Sequence, residues 1–138
     1  MKTLYALCVA ALCLHAGCSK KDAGGGSVTP TPTLKNFSLS SWTVNNVPAQ
    51  ATNVNPVATV RLQFDARVDR ASVGGGIVFT EVGGGAVPFG VGYTNNDSLL
   101  LLTPSAPLAA LKKYTISIGT GLRSTAGGRL QNAAEITF

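Results

Sequence analysis

A chain of 138 residues, 45% hydrophobic and 12% charged, is long enough for one modest core and too apolar to remain disordered. Its formal charge of +5 is scattered: Lys2, Lys20, Lys21 and Lys35 lie early, and after them Lys112, Lys113 and five separated arginines face Asp65, Asp69, Glu81, Asp97 and Glu135. Without a basic stripe, nucleic acid is excluded as a partner. The 16 glycines and 7 prolines imply many turns, hence strands rather than helices.

Residues 1–17 have the layout of an export signal. Met1-Lys2 supplies the positive start and "LYALCVAALCL", Leu4 to Leu14, the apolar stretch. That stretch is too short to cross the ~30 Å core of a bilayer. Small Ala16 and Gly17 then precede Cys18, as a cleavage site requires. "AGC" at Ala16–Cys18 resembles the lipobox of bacterial lipoproteins, with His15 standing where that pattern has an aliphatic residue. The resemblance implies cleavage before Cys18 and lipidation of its thiol. The following "CSKKD" is similar to the starts of Bacteroidetes-type lipoproteins. The remaining chemistry of Cys18 agrees: Cys8, Cys13 and His15 leave with the signal, so neither a disulfide partner nor a histidine base accompanies it. Two or more acyl chains make a stable membrane anchor. The expected location is the bacterial cell envelope, at the outer membrane on its periplasmic or surface side.

Residues 18–33 form the linker, with Gly24–Gly26 flexible and Pro30 and Pro32 favouring extended chain. Such a segment spans roughly 20 Å as a coil and up to ~50 Å when extended.

From Leu34 to Phe138 the dominant signal is alternation with period two. Ala58, Val60, Leu62 and Phe64 share one face of a strand, and Thr59, Arg61, Gln63 and Asp65 the other. The same pattern recurs at Val87, Phe89, Val91 and Tyr93, at Tyr114, Ile116 and Ile118, and at Ala134, Ile136 and Phe138. Pro88 argues for an edge or a bulge in the strand of Val87, Phe89, Val91 and Tyr93. Shorter strands are expected at 36–43, 77–81 and 98–103. The separators "NNVPAQ", two "GGG" runs, "TNND" and "TAGG" read as loops and hairpin turns, and no segment has a sustained helical period. Seven short strands at this spacing predict an all-β antiparallel sandwich.

Four landmarks in order resemble the bacterial Ig-like domain of the S-layer SbsA type: "VPAQATNVNP", "LQFDARVDRASV", "LLLLTPSAPLAALKKYTISI" and "GLRSTAGGRLQNAAEITF". Ser124 and Gly128 depart from this pattern, which favours Asp and Asn there. The physical roles expected within it are a core position for Phe64, a capping carboxylate for Asp69 and a tyrosine corner at Tyr114.

Catalysis is not expected. The mature chain has no histidine and no second cysteine, which removes the usual nucleophile–base pairs and zinc sites. Asp65 and Asp69 read as strand-end and turn residues rather than a glycosidase pair. Asn95, Asn96 and Asp97 read as a turn rather than a calcium site. The glycine runs lack the lysine of a phosphate loop. No metal or cofactor is expected. The candidate interaction surface is Trp42 with Leu100 and Leu102, because "LLLL" at 99–102 puts leucines on both faces of one strand. The expected function is that of a structural, spacer or adhesion module bound to the membrane by its lipid and meeting an envelope protein. The alternative is a glycan- or ligand-binding module.

Overall fold

The structure, a computed structural model, describes residues 36–48 and 54–138. The signal peptide, Cys18 and the linker lie outside the described residues. The fold is two antiparallel sheets packed face to face, one of five strands and one of three. In chain order the elements are β1 Leu39–Val44, β2 Val47–Pro48, β3 Val60–Phe64, α1 Arg70–Gly76, β4 Ile77–Glu81, β5 Phe89–Thr94, β6 Leu99–Pro104, β7 Tyr114–Ile118 and β8 Ala134–Thr137. The larger sheet has the order β2-β1-β3-β6-β5 and the smaller β4-β7-β8.

Alternation places the core. Val60, Leu62 and Phe64 on β3, Leu100 and Leu102 on β6, Phe79 on β4, Ile116 and Ile118 on β7, and Ile136 on β8 are all buried between the sheets. Their sequence neighbours Arg61, Ser117 and Glu135 point to solvent. β1 keeps two large side chains inward by breaking the alternation. Its register shifts between Leu39 and Ser41, so that Leu39 pairs with Phe64 and Trp42 with Leu62. A bulge accommodates the extra residue.

Turn chemistry closes the strands. Asn45 and Asn46 hold φ of 51° and 66° between Val44 and Val47, the left-handed pair that a tight two-residue hairpin needs and that Asn tolerates well. Asn95, Asn96 and Asp97 also have positive φ, between β5 and β6.

One element differs from expectation. The first glycine run, Gly74–Gly76, belongs to α1 and is not a hairpin loop. Three glycines disfavour a helix by roughly 1 kcal/mol each relative to alanine, so tertiary contacts must hold it. Asp69 caps its start, its carboxylate accepting from the Ala71 N–H at 3.1 Å. At its end, a Cβ added to Gly76 would lie 2.9 Å from Leu122 Cβ. Only glycine lets the helix approach that leucine so closely.

Candidate interaction site

The strand directions sort the loops into two poles. At one, Phe37 bridges Leu130 and stacks on Phe64 with ring centroids 5.3 Å apart. The described chain enters here, so we call it the entry pole. It also holds residues 65–76, the 95–98 turn and the 122–130 hairpin. The far pole holds the Asn45-Asn46 turn, Val54–Val57, residues 82–88, residues 105–113 and Phe138.

The entry pole is closed by polar contacts. Asp65 accepts from Ser38 twice, from N–H at 3.0 Å and from the hydroxyl at 2.6 Å. Asp97 accepts from Arg70 Nη2 at 2.8 Å and Nε at 3.2 Å, with Arg67 at 3.9 Å. The bonded Arg70 guanidinium holds the Asp97 carboxyl below the usual carboxylate range. The same guanidinium lies 4.5 Å from the Tyr93 ring centroid, a cation–π contact. Buried Ser124, where the family pattern favours Asp, accepts from the Gly128 N–H at 3.0 Å. It therefore closes the hairpin turn from within.

The far pole carries most of the large exposed apolar side chains. Val47, Val57, Val82 and Leu111 are 53% to 104% exposed, and they make up all but one of the large exposed hydrophobics among the described residues. The remaining one, Val78, is on the solvent face of β4. The backbone brings them to one end: Leu108 N–H bonds Pro56 C=O, Val82 N–H bonds Lys113 C=O, and Asn45 N–H bonds Thr59 C=O. Leu111 has φ of 59°, a left-handed conformation that costs a non-glycine residue roughly 1–2 kcal/mol. Tyr114 holds the loop that carries it. Its hydroxyl accepts from the Ala109 N–H at 2.8 Å, the geometry of a tyrosine corner. Beside this loop lies a groove of about 580 Å³, lined among others by Val54, Pro56, Leu108, Leu111, Tyr114 and Phe138. Lys112 pairs with Glu81 at 2.8 Å, and the bonded carboxylate raises its ammonium above the ordinary lysine value.

The structure separates the sequence-derived residues. Phe64 is in the core and Asp69 at the helix start. Trp42 is half-buried against the core face, opposite Leu62. Leu100 and Leu102 require a correction: both are 0% exposed and form no interaction surface. Their strand pairs them with Leu62 and Val60 across the core face. The outward leucines are Leu99 and Leu101, half-buried on the solvent face. Leu101 lies against Gly92, where an added Cβ would be 3.4 Å from its own. Asp65, Asp69 and Asp97 are each tied to separate local partners. The far-pole residues are not legible in the sequence, because they lie in β2 and three separate loops.

The sequence pattern of the bacterial Ig-like domain family matches residues 27–138. The chain belongs to that family. None of the curated protein sequences matches it. Among solved structures, the native conformation of Escherichia coli alpha-2-macroglobulin aligns with a TM-score of 0.57 and 17% identity over 75% of this chain and 6% of that one. A fragment of the same protein spanning domains MG0-NIE-MG1 aligns at 0.56 and 17%, over 75% and 31%. The S-layer protein SbsC aligns at 0.53 and 19%, over 75% and 13%. These likenesses establish the sandwich fold, and this Ig-like chain spans under a third of each of those proteins.

Proposed function

We propose that this protein is a non-catalytic, lipid-anchored module of the bacterial envelope, held at its entry pole and presenting its far pole to another envelope component. The observation that carries this reading is the opposition of the two poles. The described chain enters beside Phe37 and Leu130, so a linker running back to Cys18 leaves from the polar, internally bonded end. The exposed Val47, Val57, Val82 and Leu111 lie at the other end. A domain tethered there stands off the lipid surface by the length of its linker and offers apolar side chains outward. Large apolar side chains grouped at one end of a small domain mark a contact surface rather than ordinary surface scatter. Likeness to an S-layer protein and the four landmarks favour a spacer or adhesion role of the S-layer type over a soluble one.

The test uses the lipidated chain in vesicles, with a fluorophore attached at Thr125→Cys on the entry pole or at Leu111→Cys on the far pole. Lipid-borne quencher should dim the first more strongly than the second. Equal quenching would remove the proposed orientation. If Cys18→Ser protein still incorporates fatty acid and floats with membranes, Cys18 is not the anchor. Glycan binding that is lost in Trp42→Ala would favour the ligand-binding alternative.

A further inference from the structure

An open strand edge is a template for pairing, and folded proteins usually blunt it. Among the described residues three of the four sheet edges are blunted. The β2 edge is two residues long, and β1 behind it is bulged. The β4 edge is covered by the chain's own return, with Ala86 bridging Thr80 and the Val87 N–H bonding Phe79 C=O at 2.8 Å. β8 is four residues long and carries Glu135. β5 has none of these devices. It runs as "FGVGYT" in unbroken register with β6, without charge, internal proline or bulge.

The direction of its backbone groups follows from the bonding pattern. Ser105 N–H bonds Pro88 C=O, and Phe64 N–H bonds Ser98 C=O. In an antiparallel pair, bonded positions recur every second residue. Gly90, Gly92 and Thr94 therefore bond β6, opposite Thr103, Leu101 and Leu99. Phe89, Val91 and Tyr93 turn their N–H and C=O groups to the open edge. Their side chains lie on the core face and are half-buried.

We propose that β5 pairs antiparallel with β5 of a second copy of this chain, about a two-fold axis at Val91. The register is nearly forced. An axis between two residues would set an outward-bonding position against an inward-bonding one, leaving both unpaired. An axis at Gly90 or Gly92 would engage only two of the three outward positions, and one at Phe89 or Tyr93 fewer still. At Val91 all three outward residues engage: Val91 opposite the partner's Val91, and Phe89 opposite the partner's Tyr93, twice by symmetry. Three bonded pairs at two hydrogen bonds each give about six. The two Phe–Tyr contacts are cross-strand aromatic pairs, a stabilising combination on a sheet. On the outer face, Gly90 opposes the partner's Gly92, so no side chain obstructs the approach. Such an interface is smaller than the ~1,200–2,000 Å² of a standard stable one. Pairing is accordingly weak in dilute solution and strengthened where copies share a surface.

The register makes the proposal testable in the full chain expressed in cells. Two populations, Phe89→Cys and Tyr93→Cys, are co-expressed and oxidised, and disulfide-linked dimers are read on a non-reducing gel. The mixed pair should crosslink at least about fivefold more than Phe89→Cys alone, whose Cα atoms would lie beyond the ~7 Å that a disulfide can bridge. Val78→Cys, exposed but on β4, reports background. Val91→Pro removes only an outward N–H, which an edge strand tolerates. In sedimentation of the purified full chain it should shift the dimer midpoint to at least about tenfold higher concentration, with the thermal midpoint kept within a few degrees. Equal yields from mixed and single populations, crosslinking at Val78→Cys as strong as at the mixed pair, or a Val91→Pro dimer of unchanged strength would each overturn the pairing. So would a chain that stays monomeric at every concentration.

Discussion

Leu122 and Leu111 are the same residue type at opposite poles of one sandwich. Leu122 is 0% exposed and packs against Gly76, whereas Leu111 is 104% exposed and sits in a left-handed turn. At the entry pole apolar surface is spent on holding α1 and the 122–130 hairpin together. At the far pole Leu111 faces outward and is not part of the core. The difference shows that hydrophobicity alone does not identify a core residue. What identifies it is whether a neighbouring element has been shaped to receive it, as Gly76 has for Leu122.

The sharpest way to break this comparison is to truncate both leucines. Leu122→Ala should cost about 2–5 kcal/mol, the usual range for emptying a buried leucine site. Leu111→Asn should cost nothing and stabilise by up to about 1 kcal/mol, because asparagine adopts the left-handed conformation more readily. Urea denaturation of the two variants measures both. Similar losses at the two sites would show that Leu111 is a packing residue after all.

Gly76→Ala sharpens the same contrast from the backbone side. The new methyl would meet Leu122 Cβ and Cα at 2.9 and 3.0 Å, and overpacking of this kind costs about 1–3 kcal/mol. Gly74 and Gly75, in the same helix, have open space at the Cβ position. Gly75→Ala should therefore leave stability unchanged or raise it by up to about 1 kcal/mol. Thermal unfolding of the pair separates a glycine required by packing from one that is merely tolerated.

These residues also show what the sequence made legible. The faces of β3 and β7 could be read directly, since Val60, Leu62 and Phe64 alternate with polar neighbours and a slip of one residue would bury Arg61. Asp69 and Tyr114 could be read because each does a local task, bonding backbone two and five residues away. β6 could not. Its four leucines give no parity, and the flanking polar residues disagree: Ser98 falls on the face of Leu100, and exposed Thr103 on the face of Leu101. Only pairing with β3 decides, by placing Leu100 against Leu62. α1 was hidden for a different reason, since its glycine run is poor helix sequence rescued by contact with a residue 46 positions later, at Leu122. The far-pole surface was illegible because its members come from β2 and three loops that only the closed sandwich gathers.

The smallest expected effect separates the poles by charge. Asp97 closes the entry pole by accepting from Arg70, and its carboxyl is held below the ordinary range of about 4. A carboxylate with a lowered folded-state value stabilises fully above its unfolded value and loses that contribution as pH falls through the lowered one. Asp97→Asn is a clean probe, because asparagine also accepts the φ of 62° found here. At neutral pH the variant should melt slightly below wild type, and the gap should close as the solution is acidified below about pH 4. Added salt should also narrow it, as for any exposed ion pair. At the far pole, Glu81→Gln breaks the contact with Lys112, whose raised value predicts a contribution lost as the pH rises into strong alkali. A gap for Asp97→Asn that stayed constant from pH 7 into acid would mean that the turn, and not the charge, is what Asp97 supplies to the entry pole.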